Sequence, residues 1–255
     1  MQNLTESMKV RIGSLILLFF LLMQAAAADA KVFLVSAGIS DYPGTADDLP
    51  QPVKDVQYIT DLYRSNCEVV YCQLLDREAT RSKILAAIRK VTAGAGADDI
   101  VVFFYSGHGC PDGLCVYDGL LTYGNIRNAM SVSKCKNKMI FANACFSGNM
   151  RSTRGRGNGQ NSVTEAKKSN VMLFLSSRSH EYSWGRTDME HTYFTTYLHK
   201  GLSGQADKNR DRIITARELY DYVHQKVVEI SGNEQHPVMW GSFSDNMPVM
   251  VWKKR

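Results

Sequence analysis

Short, continuous apolar runs rich in Val, Ile and Phe dominate the hydrophobic pattern of this chain. The two clearest, at 100–106 and 139–143, lead directly to His108 and Cys145. Such runs are typical of strands buried on both faces, as in a parallel sheet. Further runs predict strands at 31–38, 68–71 and 171–176, and an edge strand at 248–252.

Between these runs, apolar residues recur at helical spacing. The pattern predicts helices around 53–63 and 193–198, a short helix over 121–130, and helices that begin at Thr80 and Thr215. Strands that alternate with helices favour parallel pairing through right-handed crossovers. The sequence therefore predicts an α/β domain.

The first 30 residues have a different character. Lys9 and Arg11 precede the apolar block 15–23, and Ala28-Asp29-Ala30 resembles a signal-peptidase site. The block is shorter than the roughly 20 residues that span a bilayer. We expect a signal peptide at 1–30, a mature domain at 31–255 that keeps no membrane anchor, and a secreted or periplasmic location. The alternative is an uncleaved N-terminal anchor.

The net charge narrows the classes of partner. The chain carries a formal charge of +5, spread along its length except for one basic loop at 149–170. Proteins that bind nucleic acid concentrate positive charge on one face or helix. The sequence therefore indicates no nucleic-acid partner.

His108 and Cys145 are the candidate reactive residues. Ligand sites in open parallel sheets lie at the carboxyl ends of the strands, where both residues are expected. An imidazole beside a thiol favours the nucleophilic thiolate. The amides of Gly109 and Cys145 are candidates for an oxyanion hole. The alternative is a structural Cys and a core His that happen to follow strands.

These residues carry a resemblance to a known family. The segments 105–109 (YSGHG) and 143–148 (NACFSG) resemble the histidine and cysteine motifs of caspase and metacaspase cysteine peptidases. The resemblance implies a three-layer caspase-like fold, with a mostly parallel six-stranded sheet and helices on both faces. It also implies that Cys145 is the nucleophile, that His108 is the acid and base, and that peptides or proteins are the substrates. A catalytically idle caspase-fold binding module is the alternative.

The same resemblance suggests a specificity pocket. Metacaspases accept an Arg or Lys side chain with two acids and the Ser of the histidine motif. Asp55, Ser106 and Asn143 stand at the matching positions here. Because Asn143 replaces the second acid, the implied preference for a basic P1 residue is weakened.

The basic loop occupies the place where family members are cut between their two halves. It contains Arg151, Arg154 and Arg156 among Gly, Ser and Asn. The resemblance therefore makes these three residues candidate sites of self-cleavage.

Six cysteines in a chain bound for an oxidising compartment raise the question of pairing. Cys110 and Cys115 bracket a four-residue turn that a disulfide can span, whereas Cys67 and Cys72 would lie too far apart along one strand. A zinc site formed by Cys110, Cys115 and His108 is the alternative, although a fourth ligand is not evident.

One further motif concerns calcium. Asp207, Asn209, Asp211 and Glu218 match the spacing of a calcium-binding loop. Arg212 stands where that loop needs Gly, and Thr215 with Glu218 forms a capping box that explains the acid without a metal. The acids that bind calcium in many metacaspases are reduced here to Asp112 and Asp118. We therefore expect no cofactor, with calcium at 207–218 left as an alternative.

Overall fold

A computed structural model describes residues 30–44, 46–110, 113–144, 171–178, 181 and 189–253. The signal-peptide prediction, apart from Ala30, and the basic loop lie outside these residues. The strands are β1 (Val32–Gly38), β2 (Val69–Leu75), β3 (Ile100–Ser106), β4 (Gly109–Cys110), β5 (Gly113–Val116), β6 (Gly119–Thr122), β7 (Asn137–Asn143), β8 (Val171–Leu175), β9 (Ile213–Thr215), β10 (Val238–Trp240) and β11 (Pro248–Val251). The α-helices are α1 (Pro52–Asn66), α2 (Arg81–Thr92), α3 (Tyr123–Met130), α4 (Tyr193–Lys200) and α5 (Ala216–Ile230), with a 3₁₀ turn at Asp76–Glu78 and a π-helical turn at Gly201–Gln205.

Six strands form the central sheet in the order β10-β8-β7-β3-β1-β2. All neighbours are parallel except β10, which runs antiparallel to β8 at one edge. The apolar runs at 100–106 and 139–143 become adjacent central strands. Their continuous hydrophobicity follows from burial on both faces.

Helices cover both faces of this sheet. Along β3, Phe103 packs into the core beneath α2 and α3, whereas Phe104 packs into the core beneath α1, α4 and α5. Successive residues of a strand point to opposite faces, so each strand contributes to both cores. The arrangement is the three-layer α/β architecture expected from the sequence.

Helix starts follow the predicted capping residues. Thr80 Oγ1 accepts a hydrogen bond from the Lys83 amide at the start of α2. Thr215 and Glu218 form the reciprocal capping box that begins α5. The helix expected from residue 121 begins at Tyr123 instead, because Leu121 and Thr122 belong to β6 and Thr122 caps the helix.

The predicted edge strand at 248–252 is wrong for the central sheet. β11 pairs with β9 in a separate two-stranded sheet, and β10 takes the antiparallel edge. Val249 and Met250 are fully buried against the α1, α4 and α5 core. The apolar run therefore covers that core. No described helix is both long and apolar enough to cross a membrane.

Candidate active site

His108 lies just beyond the carboxyl end of β3, and a main-chain carbonyl orients its ring. His108 Nε2 is 2.8 Å from the carbonyl oxygen of Asp47. A carbonyl can only accept a hydrogen bond, so Nε2 must carry the proton. In the neutral imidazole, Nδ1 is therefore the nitrogen that can accept a proton.

Two buried tyrosines hold the main chain of His108. The His108 amide donates to Tyr42 Oη at 2.8 Å, and Tyr105 Oη lies 3.1 Å from the His108 carbonyl oxygen. The Tyr42 ring also packs against the imidazole, with 4.9 Å between centroids. Burial raises the pKa of both tyrosines, so both hydroxyls stay protonated at neutral pH. The position of the imidazole thus depends on Tyr42, which lies 66 residues earlier in the chain.

Gly107 is required by the same arrangement. Its φ of +155° disfavours other residues, and an added Cβ would lie 2.5 Å from Tyr105 Oη and 2.7 Å from Tyr42 Oη. The glycine of the histidine motif therefore makes room for the two hydroxyls.

The loop that presents Asp47 is fixed by carboxylates. Asp76 Oδ1 accepts hydrogen bonds from the amides of Ser40 and Asp41, and Asp48 Oδ1 accepts one from the Tyr42 amide. Asp76 adopts a φ of +46°, a left-handed conformation that Asp tolerates better than most residues. These bonds hold the loop over the imidazole.

A disulfide braces the hairpin that follows His108. Cys110 and Cys115 are bonded, with their Cα atoms 5.6 Å apart. The Cys115 carbonyl oxygen accepts hydrogen bonds from Tyr105 at 2.7 Å and Tyr42 at 3.1 Å. The hairpin therefore supports both tyrosines. Because zinc binding needs thiolates, this disulfide excludes the zinc alternative.

The two reactive segments leave the sheet side by side. Ser106 of β3 pairs with Asn143 of β7, and the Gly107 amide donates to the Asn143 carbonyl oxygen at 3.2 Å. In the sequence, His108 comes two residues after Ser106, and Cys145 comes two residues after Asn143. Cys145 itself, the second oxyanion candidate, lies outside the described residues, while Gly109 belongs to β4.

Asp55, Ser106 and Asn143 meet in one buried polar cluster with Thr192. The Asp55 carboxylate is fully buried, and its Oδ2 accepts from Ser106 Oγ at 3.0 Å, Asn143 Nδ2 at 2.9 Å and Thr192 Oγ1 at 3.1 Å. The Thr192 amide donates to Oδ1 at 3.3 Å. The cluster joins the first turn of α1, the ends of two strands and the N-cap of α4.

A column of three rings borders this cluster. His191 and His199 stack on opposite faces of the Tyr58 ring, with centroid separations of 4.1 Å and 3.6 Å and nearly parallel planes. His191 Nδ1 lies 3.3 Å from Asp55 Oδ1. Burial, and then the nearby His191, lower the pKa of His199 to about 4. His199 is therefore neutral at physiological pH.

Comparison with known proteins places this geometry in a family. The family model described as the caspase domain matches residues 35–247.

This chain belongs to the caspase-domain family.

Solved structures agree with that assignment. A protein of Geobacter sulfurreducens aligns with a TM-score of 0.65 and 17% identity over 88% of this chain and 100% of its own. Caspase-1 of Spodoptera frugiperda aligns with a TM-score of 0.62 and 14% identity over 89% of this chain and 92% of its own. These likenesses confirm the caspase-like three-layer fold. No curated protein matches the chain.

The family membership supports a cysteine-peptidase-like function with peptide or protein substrates. In this caspase-domain protein, the structure brings Asp55, Ser106 and Asn143 together. The candidate self-cleavage residues Arg151, Arg154 and Arg156 lie outside the described residues.

Sequence reasoning missed four contributors to the site: Tyr42, the Asp47 carbonyl, His191 and Thr192. They belong to no contiguous motif, because the fold gathers them from loops and helix ends far apart in the chain. Only Thr192 carried a local signal. It is a threonine that directly precedes the apolar helical repeat of α4, and this is the usual position of an N-cap residue.

The candidate calcium loop of this caspase-domain protein is occupied by its own donors. Asp207 Oδ2 accepts from the Arg212 amide, Asp211 Oδ1 accepts from the Ile213 amide, and Asn209 pairs with Asp211. Both Glu218 oxygens are used, one by Thr215 and the other by the Lys208 amide. Among the described residues, no group of three or more His, Cys, Asp or Glu could hold a metal ion.

Proposed function

We propose that this caspase-domain protein is a cysteine endopeptidase that acts through Cys145 and His108. The observation that carries the proposal is the orientation of His108. Its Nε2 is committed to the Asp47 carbonyl, so Nδ1 is left to exchange a proton with a neighbouring thiol. Cys145 comes two residues after Asn143, the strand partner of Ser106, and two residues of chain span at most about 7 Å.

The reaction follows from these roles. The Cys145 thiolate attacks the scissile carbonyl, and the new oxyanion is stabilised by the amides of Gly109 and Cys145. His108 then gives its proton to the leaving amine nitrogen, and the C–N bond breaks to leave an acyl-enzyme. His108 next takes a proton from water, which attacks the thioester and releases the acid and the thiolate.

The cluster around Asp55 supports a preference for a basic P1 residue. Asp55 supplies one buried carboxylate, and Ser106 lies 3.0 Å from it. Asn143 contributes an amide where a second carboxylate would strengthen the attraction for Arg or Lys. Cleavage of a mixed peptide library should therefore enrich Arg and Lys at P1, together with polar neutral residues.

We place self-processing in the 149–170 loop, after Arg151, Arg154 or Arg156. The purified protein should convert from one band to two, with the new termini located by mass spectrometry. A Cys145→Ala variant should remain one band. If wild type stays intact while it cleaves peptides, self-processing is refuted but the peptidase is not.

The protein is further proposed to be exported, with removal of residues 1–30. The Lys31 amide nitrogen lies 2.9 Å from Asp99 Oδ1, so an α-ammonium group created there would meet a carboxylate. The intact mass of the exported protein should correspond to an N-terminus at Lys31. A protein that retains the leader would contradict this.

Fluorogenic peptides with Arg, Lys, Gln or Asp at P1 test the activity itself. Wild type should cleave the basic substrates, and Cys145→Ala and His108→Ala should each reduce the rate by at least about a thousandfold. Absence of any turnover by wild type, with no alkylation of Cys145, would favour the idle binding module.

A further inference from the structure

The Asp55 carboxylate is saturated by donors of the protein itself. Four hydrogen bonds reach it from three side chains and one main-chain amide, and the imidazole of His191 makes a fifth contact. A carboxylate offers about four acceptor sites. Because Asp55 is fully buried, an incoming cation reaches it only by displacing one of these groups.

His191 is the group that can most readily be displaced. Its Nδ1 is buried and lies 3.3 Å from Asp55 Oδ1, yet it makes no aligned hydrogen bond within the part of the chain that the structure describes. Its side chain is 16% exposed, whereas Ser106 and Asn143 are almost fully buried at strand ends. Thr192 is fixed as the N-cap of α4. Only the imidazole has both a weak contact and a route toward solvent.

Asn143 adds a second sign that the cluster receives a ligand group. Asn143 is only 3% exposed, and its Oδ1 has no hydrogen-bond partner among the described residues. Turning the amide would point Oδ1 at three oxygens, so the amide cannot relieve this by rotation. A buried acceptor without a donor is costly unless another group satisfies it. A donor-rich side chain would do so.

The two rings that continue the column beyond His191 carry no charge. Asp55 faces His191 from α1, and the Tyr58 ring lies between His191 and His199 of α4. Burial and the exposed Glu190 raise the pKa of Tyr58, so its ring stays uncharged. His199 is neutral at physiological pH because its pKa is lowered to about 4. The Tyr58 and His199 rings therefore add no charge beside Asp55 at physiological pH.

We propose that His191 is a specificity-determining residue that covers the Asp55 carboxylate and gives way to a cationic P1 side chain. The inference rests on the proposed function, in which Asp55 forms the floor of the P1 pocket. When a cationic P1 side chain enters, its guanidinium or ammonium group takes the place of the imidazole at Asp55 Oδ1. A neutral P1 side chain gains no ion pair with Asp55 and leaves His191 in place.

The test compares two peptides that differ only in Arg or citrulline at P1, since citrulline is a neutral isostere. The ratio of their kcat/KM values cancels the ionisation of His108 and Cys145, which both substrates share. In His191→Phe, which keeps a ring against Tyr58 but has no polar atom to contact Asp55, this Arg-to-citrulline ratio should be about tenfold higher than in wild type.

His199→Phe is the matched control, because it changes the other histidine of the same ring column. Its ratio should follow that of wild type. A His191→Phe ratio equal to that of wild type, or an equal rise of the ratio in His199→Phe, would overturn the proposal.

A second measurement applies if no peptide is cleaved, the outcome in which the proposed function fails. Agmatine, a small guanidinium compound, is added to the Cys145→Ala protein and the His191 imidazole resonance is followed by NMR. A shift of the His191 resonance that saturates with agmatine would support the covering role. No shift would overturn it.

Discussion

The side-chain amide of Asn143 lies 2.9 Å from the buried carboxylate of Asp55, two residues before the proposed nucleophile. The same amide nitrogen also lies 3.0 Å from Ser106 Oγ and 2.9 Å from Thr192 Oγ1. An amide can donate to these oxygens, whereas a carboxylate in its place could not. The end of β7 is therefore held by donation into Asp55.

Asn143→Asp should destabilise the fold, because it places a second carboxylate beside Asp55 in a buried site. We expect the free energy of unfolding, measured with urea at neutral pH, to fall by about 3 kcal/mol. The new carboxyl holds its proton more tightly in the folded than in the unfolded chain. The loss should therefore vanish below about pH 4 and grow as the pH rises above it.

Asn128→Asp, at an exposed position of α3, is the control for this substitution. It should change the free energy of unfolding by less than about 0.5 kcal/mol. Equal stability of Asn143→Asp and wild type at neutral pH would show that Asp55 does not depend on the amide.

Tyr42→Phe should slow catalysis without weakening substrate binding. The substitution removes the acceptor of the His108 amide while it keeps the ring against the imidazole. We expect kcat to fall about fivefold with KM nearly unchanged, since one hydrogen bond contributes about 1 kcal/mol. Tyr71→Phe, on the exposed face of β2, should leave both parameters unchanged. A larger change in KM than in kcat would argue against a positioning role.

Loss of the Cys110–Cys115 disulfide should affect both stability and rate. The double substitution Cys110→Ser, Cys115→Ser opens a short loop and should lower the free energy of unfolding by about 2 kcal/mol. It should also reduce kcat, because the Cys115 carbonyl accepts the hydroxyls that hold His108. Cys72→Ser, a free and half-buried thiol, is the control. An unchanged kcat in the double variant would show that the hairpin does not help to position His108.

The 207–218 loop should not bind calcium. Its carboxylates accept hydrogen bonds from the protein, and Glu218 serves the cap of α5. Arg210 and Arg212 also place two cations in the loop. Calorimetric titration with calcium should give no saturable heat. Saturable heat that disappears in Asp207→Asn would establish the metal site that the spacing of the acids allows.

The sequence predicts the central strands well because a strand that is buried on both faces has a continuous run of apolar residues. β3 and β7 show this directly. The same signal fails at β11, since a run such as 249–251 is equally apolar whether it joins the central sheet or packs over its core. Hydrophobicity reports burial and does not report the strand's partner.

The candidate site divides in the same way. Gly107 and His108 lie in one local motif, so their roles can be predicted from the sequence. Tyr42 and His191 act through contacts that cross 66 and 136 residues of chain, respectively, to His108 and Asp55. Such contacts exist only once the sheet has brought the loops together.

The reactivity of Cys145 can be measured selectively because the other free thiols have raised pKa values. Burial raises the pKa of Cys67 to about 12 and also raises the pKa values of Cys72 and Cys135. These three thiols should be almost fully protonated at neutral pH and should react slowly with an alkylating agent.

The rate of iodoacetamide alkylation at Cys145, followed by mass spectrometry at about pH 6.5, is therefore the most direct test of a thiol activated by an imidazole. The account predicts rapid and selective modification of Cys145 in the wild type, slowed at least about tenfold by His108→Ala. Alkylation that is equally fast in the two proteins, or absent from Cys145 in both, would contradict it.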